Sequence, residues 1–313
     1  MKKKMLAVCI AACALVMGCS SGGGDDGGSG DAANWVIEGN KVIRYIGAEA
    51  DVRIPDGVTI IEDNAFKDRK SLKSVTIPNG VTSIGENAFY GCASLASVTI
   101  PGSVIGIGKS AFYDCDSLKS VTIPASVTAI EDSTFYGCSS LASVTIPNGV
   151  KRIGENAFYV CASLASVTIP ASVMSIGKYA FYDCDSLKSV TIPASVTAIE
   201  DYAFCSCSSL ASVEIPGSVK RIGVYAFARC GLLKSVTIPG SVKIIEDFAF
   251  FNSGVVSVTI GYGVESIGVG AFSPTWLPYT VKEVRYGGTK EQWDAIVGKE
   301  KAGFNDATIV YES

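Results

Sequence analysis

Phenylalanine returns every 23 residues along this chain, at Phe66, Phe89, Phe112, Phe135, Phe158, Phe181, Phe204, Phe227 and Phe250, with Phe272 one residue early. A bulky ring held at one interval through eight steps requires the same packing site each time. The chain is therefore a stack of near-identical coils, each burying its apolar wedge only against its neighbours. A length of 313 residues would otherwise suggest two domains, but coils that touch only their neighbours escape that rule.

The rest of the unit is as regular as its ring. Ile-Pro recurs from Ile54-Pro55 to Ile238-Pro239, and a tenth unit carries Ile260-Gly261. In the unit from Cys92 to Asp114 the apolar skeleton is Leu95, Val98, Ile100, Val104, Ile107, Ala111 and Phe112. Val98, Thr99 and Ile100 alternate as a half-buried strand does, and Pro101 ends the strand because it has no N–H for the next ladder bond. Val104 to Ile107 reads as a second, shorter extended stretch closing at Gly108. Lys109 to Tyr113 reads as one turn of helix, followed by a corner at Cys115.

Leu95-x-x-Val98-x-Ile100 resembles the strand of a leucine-rich repeat. The full pattern, with I-P after the strand, V-x-x-I-G beyond it and then A-F-x-x-C, resembles the BspA-like (treponemal-type) family of bacterial surface proteins over about residues 42–272. The fold this implies is an α/β, right-handed leucine-rich-repeat solenoid of about ten 23-residue coils with N- and C-terminal caps. One departure concerns the corner where many such repeats carry Asn or Cys. Here stand Ser103, Ser126, Ser172, Ser195, Ser218 and Ser241, or Gly80 and Gly149. Hydroxyls or backbone geometry must satisfy that corner instead.

The N-terminal stretch reads as an address. Lys2, Lys3 and Lys4 precede an apolar run from Met5 to Met17, the layout of a secretory signal and too short for a permanent span. Val16-Met17-Gly18-Cys19 resembles a lipoprotein box, which implies cleavage before Cys19 and lipid on its sulfur, inserted in a membrane. Ser20 to Gly30 is a flexible tether. Trp35 to Ile43 reads as two short strands around a Glu-Gly-Asn turn covering the first coil. At the other end Thr289 and Gln292 form a capping-box pattern before a short helix that Gly298 ends. Ala307 to Tyr311 reads as a closing strand, with Trp293 as the plug. The implied organisation is residues 1–18 signal, 19–34 tether, 35–53 N-terminal cap, 54–272 repeats and 273–313 C-terminal cap.

The chain has 26 basic and 30 acidic residues. Without the three leader lysines the balance is 23 to 30, near −7, which argues against a nucleic-acid partner. Of eleven cysteines, Cys92, Cys115, Cys138, Cys161, Cys184, Cys207 and Cys230 share one register. They read first as buried free thiols, second as rung-to-rung disulfides, whose dihedral parallel Cβ vectors disfavour. Metal ligation comes last, because the chain has no histidine. Cys205 replaces the tyrosine of Tyr90, Tyr113, Tyr136, Tyr159 and Tyr182, which marks it as the candidate for an exposed thiol. No cofactor is expected. Glu62, Glu131, Glu200 and Glu246 share a register but fall roughly 10 to 14 Å apart at the usual rung spacing, too far for paired-carboxylate hydrolysis. An enzyme is not expected. Asp63, Glu86, Lys109, Asp132, Glu155, Lys178, Asp201 and Asp247 form a charged stripe with opposite signs on some adjacent rungs.

Two surfaces are candidates for binding. The outward residues of the strands, Ser97, Thr99, Ser120, Thr122, Ser143, Thr145, Ser166, Thr168, Ser189 and Thr191, form hydroxyl rows suited to an extended partner. The alternative is a corner carrying Lys151, Arg152, Lys220 and Arg221, suited to an acidic one. The family resemblance implies a cell-surface or outer-membrane adhesin for host matrix proteins or other cells. A periplasmic scaffold or envelope-structural lipoprotein is the alternative, and a glycan-binding or enzymatic solenoid a remote one. Finally, Tyr113 to Asp132 reappears letter for letter as Tyr182 to Asp201, so three coils were copied as a block.

Overall fold

Alternation in Ser-Val-Thr produces the first of two parallel ladders in the computed structural model, which describes residues 34–275 and 280–312. The signal, Cys19 and the tether up to residue 33 lie outside these residues. In most coils the valine points in and is buried while the flanking hydroxyls face out, as in Ser120–Thr122 and Ser143–Thr145, which pair in register. This front ladder counts twelve strands among the described residues, from Asp51–Arg53 to Thr308–Tyr311. The expectation of about ten coils did not count the last two because Glu283–Tyr286 and Thr308–Tyr311 lack the Ile-Pro mark, although the second is the closing strand expected at Ala307 to Tyr311. They nonetheless pair in parallel with the strands before them.

The second ladder, on the back, comes from the Val-x-x-Ile stretches. These form two-residue strands such as Ser83–Ile84 and Gly106–Ile107. The Gly that follows has a packing reason: a Cβ on Gly108 would lie 2.6 Å from the Glu86 nitrogen of the preceding coil. Both ladders are interrupted at intervals. The front one breaks between Ser97–Thr99 and Ser120–Thr122, between Ser166–Val167 and Ser189–Thr191, and between Ser212–Glu214 and Ser235–Ile238. The back one breaks between Gly106–Ile107 and Ala129–Ile130 and between Ser175–Ile176 and Ala198–Ile199. The two back breaks, and the first two front breaks, are 69 residues apart, the length of the copied block; the third front break comes 46 residues after the second.

The expected helical turn at Lys109 to Tyr113 is not helix. Ser110 and Asp114 take left-handed φ of 52°, which stops an α-helix at once. Instead Ala111, Tyr113 and Cys115 close tight turns by donating N–H to Gly108, Ser110 and Phe112. The alternate residues Ser110, Phe112 and Asp114 donate to Asp132, Thr134 and Tyr136 of the next coil. The turn is a third hydrogen-bonded edge of the coil. Helix is confined, among the described residues, to Lys290–Asp294 and a 3₁₀ turn at Lys299–Lys301.

Inside the three edges runs the phenylalanine column. Phe66 to Phe250 are fully buried, and neighbouring rings stack with centroids 4.8–5.5 Å apart and planes 3–16° from parallel. Each end is closed by aromatic side chains. Trp35 and Tyr45, from the antiparallel strands Trp35–Glu38 and Lys41–Tyr45, pack on Phe66. Phe304 lies 5.0 Å from Phe272, and Trp293, 6% exposed, packs against Phe304 and Tyr286. Thr289 and Gln292 do make the capping box, but the helix ends at Asp294. Gly298 instead starts the 3₁₀ turn at φ 80°, where a Cβ would meet the Ile267 carbonyl at 2.4 Å.

Candidate functional site

The front face presents what its alternation dictates. Ser97, Thr99, Ser120, Thr122, Ser143, Thr145, Ser166, Thr168, Ser189 and Thr191 are all exposed. Paired strands hold them in line, with Ser143 opposite Ser120 and Ser166, and Thr145 opposite Thr122. Their hydroxyls repeat at the parallel-strand spacing of about 4.8 Å, giving an uncharged array of donors and acceptors. The corner below this face is satisfied by serines. Ser103 and Ser172 Oγ donate to the Val81 and Val150 carbonyls of the preceding coil at 2.6 and 2.7 Å, and Ser218 Oγ donates to that of Val196 at 2.6 Å. Ser241 breaks the series, its buried hydroxyl having no partner.

The alternative corner is split by the structure. Lys151 and Lys220 are exposed, but Arg152 and Arg221 turn back onto their own coil stack. Arg152 binds Glu131 and reaches Asp132 at 2.9 Å. Arg221 binds Glu200 and Asp201, the latter at 3.0 Å, and comes within 4.0 Å of Glu246. Lys109 and Lys178 complete the two clusters with bonds to Asp132 and Asp201 at 3.0 and 2.9 Å. Burial pushes against ionisation at Asp132 and Asp201, yet the lysine and arginine hydrogen bonds win and hold both carboxyls below the usual range. Two of the corner's four cations are thus already neutralised. The glutamates expected at wide spacing are engaged too, Glu62 with Lys41 at 2.8 Å.

The cysteine register is a row of buried free thiols, each Sγ aimed at the carbonyl of a phenylalanine 26 residues earlier, as Cys92 donates to Phe66 at 3.1 Å. Desolvation raises these thiols, Cys92 to about 12, so none is a nucleophile at neutral pH. Cys205 corrects the expectation of an exposed thiol. It is 4% exposed and burial lifts it to about 11, because the tyrosine register it occupies is a packed column rather than open surface. Among the described residues no group of three or more His, Cys, Asp or Glu is placed to hold a metal ion.

Sequence reasoning passed over that column as a feature in its own right. Tyr90, Tyr113, Tyr136, Tyr159 and Tyr182 stack along the turn edge, and Tyr179, Tyr202, Tyr225 and Phe248 form a second stack beside them. The signal was available: the second set also recurs every 23 residues.

Comparisons with known proteins place this geometry in a known class. Residues 48–165 and 151–276 match the family described as BspA type leucine rich repeat region, in six copies. A leucine rich cell surface protein from Faecalibacterium prausnitzii A2-165 is 28% identical, covering 85% of this chain and 94% of its own, with a TM-score of 0.43. A leucine rich repeat protein of T. pallidum is 29% identical over 64% of this chain and 88% of its own, with a TM-score of 0.46. The pneumococcal vaccine antigen PcpA, 17% identical, covers 89% and 96% with a TM-score of 0.44. The search of curated proteins found no match.

Proposed function

Since the chain belongs to the BspA-type leucine-rich-repeat family, we propose that it is an exported, lipid-anchored protein of the cell surface. Its solenoid binds host extracellular-matrix proteins or the surface proteins of other cells, with no enzymatic role. The observation that carries this reading is the front face, where exposed serine and threonine rows recur over five successive coils from Ser97 to Thr191, paired in register across the middle three. An array of neutral hydroxyls suits an extended polypeptide, because each rung adds a weak contact and the sum gives affinity without deep pockets. The lipid is proposed on Cys19, with the tether holding the solenoid away from the membrane. The salt-bridged state of Arg152 and Arg221 weighs against the basic corner as the main site.

Adhesion to immobilised matrix proteins by whole cells tests the reading. Thr122→Lys, Thr145→Lys and Thr168→Lys together place three long cations across the middle of the rows and are expected to abolish binding while leaving the buried valines untouched. Lys151→Ala with Lys220→Ala is expected to retain it. Full adhesion by a folded triple variant overturns the front-face assignment. Protease treatment of intact cells that leaves the chain uncut would move it to the periplasmic side.

A further inference from the structure

The turn edge carries a feature that neither the core nor the front face requires. Its first tyrosine stack has centroids 4.3–4.7 Å apart and planes within 4–10° of parallel, from Tyr90 to Tyr182. The second, Tyr179 to Phe248, has spacings of 4.6–5.0 Å and lies beside the first, with Tyr179 5.9 Å from Tyr182. All these rings are only partly buried, and the phenylalanine column already supplies the interior. The second stack also occupies left-handed positions, with φ of 54–59° at Tyr179, Tyr202, Tyr225 and Phe248. Earlier coils use Asn64, Asn87, Ser110, Ser133 and Asn156 there, and the smaller polar residues adopt that conformation more readily than aromatic ones.

Charge on this edge is one-sided. In the turns from Asn87 to Leu210 it bears Asp114, Asp116, Asp183 and Asp185, while the two lysines of those turns, Lys109 and Lys178, are bound to Asp132 and Asp201 on the back. Lys119 and Lys188 belong to the start of the front strands, and Arg229, two coils beyond Asp183 in the same register, offsets that carboxylate in part. On the back face Glu131, Asp132, Glu200 and Asp201 have cations, whereas among the described residues none of the four turn aspartates forms an ion pair. Burial, together with the neighbouring Asp116, raises Asp114, and burial together with Asp185 raises Asp183 against the smaller opposing pull of Ser206 and Arg229. Because stacking hides the ring faces, solvent meets a rim of ring C–H groups and hydroxyls flanked by carboxylates. The stack's outermost ring shows what fits: Lys67 places its ammonium 5.0 Å over Tyr90.

We propose that this tyrosine-aspartate edge is a second docking surface, distinct from the front face, for an extended polypeptide segment bearing lysine or arginine. The methylene stem of such a side chain lies along the ring rims while its head reaches a carboxylate. The two aspartate pairs are three coils apart, roughly 14 Å at the usual rung spacing, which an extended chain covers in about four residues. The edge therefore selects basic residues repeated at that interval.

The test is fluorescence anisotropy of a labelled Lys-Ser-Thr-Gly peptide, repeated three times, against the full chain at low ionic strength, with a Glu-Ser-Thr-Gly peptide for comparison. The lysine peptide is expected to bind and the glutamate peptide not. Asp114→Asn, Asp116→Asn, Asp183→Asn and Asp185→Asn together, which relieve repulsion and so keep the fold, are expected to weaken binding about tenfold or more. Removing equal charge elsewhere, with Glu38→Gln, Glu86→Gln, Glu155→Gln and Asp306→Asn, is expected to change it less than about twofold. Tyr136→Phe with Tyr159→Phe is expected to bind as the parent does, and Tyr136→Ser with Tyr159→Ser to lose several-fold. Equal losses in the two charge variants would mean that net charge alone attracts the peptide and would overturn the proposal. So would a parent chain that ignores the lysine peptide, or one that prefers zwitterionic vesicles or a neutral polysaccharide. The triple Thr→Lys variant of the front face is expected to keep its peptide affinity, so failure of one surface leaves the other standing.

Discussion

Ser172 and Ser241 stand at the same corner of their coils, yet Ser172 donates to the Val150 carbonyl at 2.7 Å while the buried Ser241 hydroxyl has no partner. Ser172→Ala is therefore expected to lower stability by about 1 kcal/mol, and Ser241→Ala to be neutral or stabilising, since only the first leaves a carbonyl newly unmet. Equal changes in urea melts would remove the hydroxyl ladder as a source of stability. Acidic residues divide in a similar way. Asp132 and Asp201 are held below the usual carboxylate range, so they contribute stability at neutral pH that is lost as pH falls through their folded values. Asp114, Asp116 and Asp183 are raised, chiefly by burial. Their contribution has the opposite sign, present in acid and lost as pH rises through their folded values. Asp132→Asn should then weaken the fold at pH 7 by tenths of a kcal/mol once solvent screening is allowed for, with the difference vanishing in strong acid. Asp114→Asn should strengthen it at pH 7. Denaturation midpoints across the acid range check both signs. The serine corner was legible because the residues repeat. The ion pairs of Arg152 were missed because their partners lie 20 and 21 residues back, a neighbour relation that exists only once the chain is wound.

Among the elements, the aromatic column dominates the energetics. Phe158 is fully buried between Phe135 and Phe181 at 5.5 and 5.3 Å, so Phe158→Ala is expected to cost roughly 3–5 kcal/mol. Phe304 ends the stack and stays partly exposed, so Phe304→Ala should cost about 1–2 kcal/mol. Similar losses in chemical denaturation would mean that position along the column does not matter. The column, the strands and both covers could be read from spacing because period and burial coincide there. The turn at Lys109 to Tyr113 could not, since Ala-Phe in a short polar segment fits helix and tight turns alike. What decides is the row of left-handed residues at Asn64, Asn87, Ser110 and Ser133, visible only when one register is compared across coils. Cys205 was misjudged for a related reason: it packs against the column formed across coils, with Tyr182 of the preceding coil close by.

For the molecule as a whole, each coil offers its successor the same three edges, so the order of coils is nearly free while the register is not. The two seams of the back ladder and the first two of the front fall at matching points of the copied block, a consequence of identical neighbours meeting identical neighbours. The candidate binding faces were legible only as far as alternation and exposure reach: the hydroxyl rows follow from period two, whereas the tyrosine edge needed the turn's geometry to be known. The repetition has a further consequence for heredity. Excising residues 113–181 joins Phe112 to Tyr182, and the twenty residues that then follow, Tyr182 to Asp201, are those that followed Phe112 before. Such a shortened chain is expected to fold cooperatively, with a denaturant slope lower by about a quarter; a molten product would refute it. A gene with this layout can lose or gain three coils by misaligned recombination and still encode a sound solenoid, so the length of the binding surface can vary between lineages in a single genetic step.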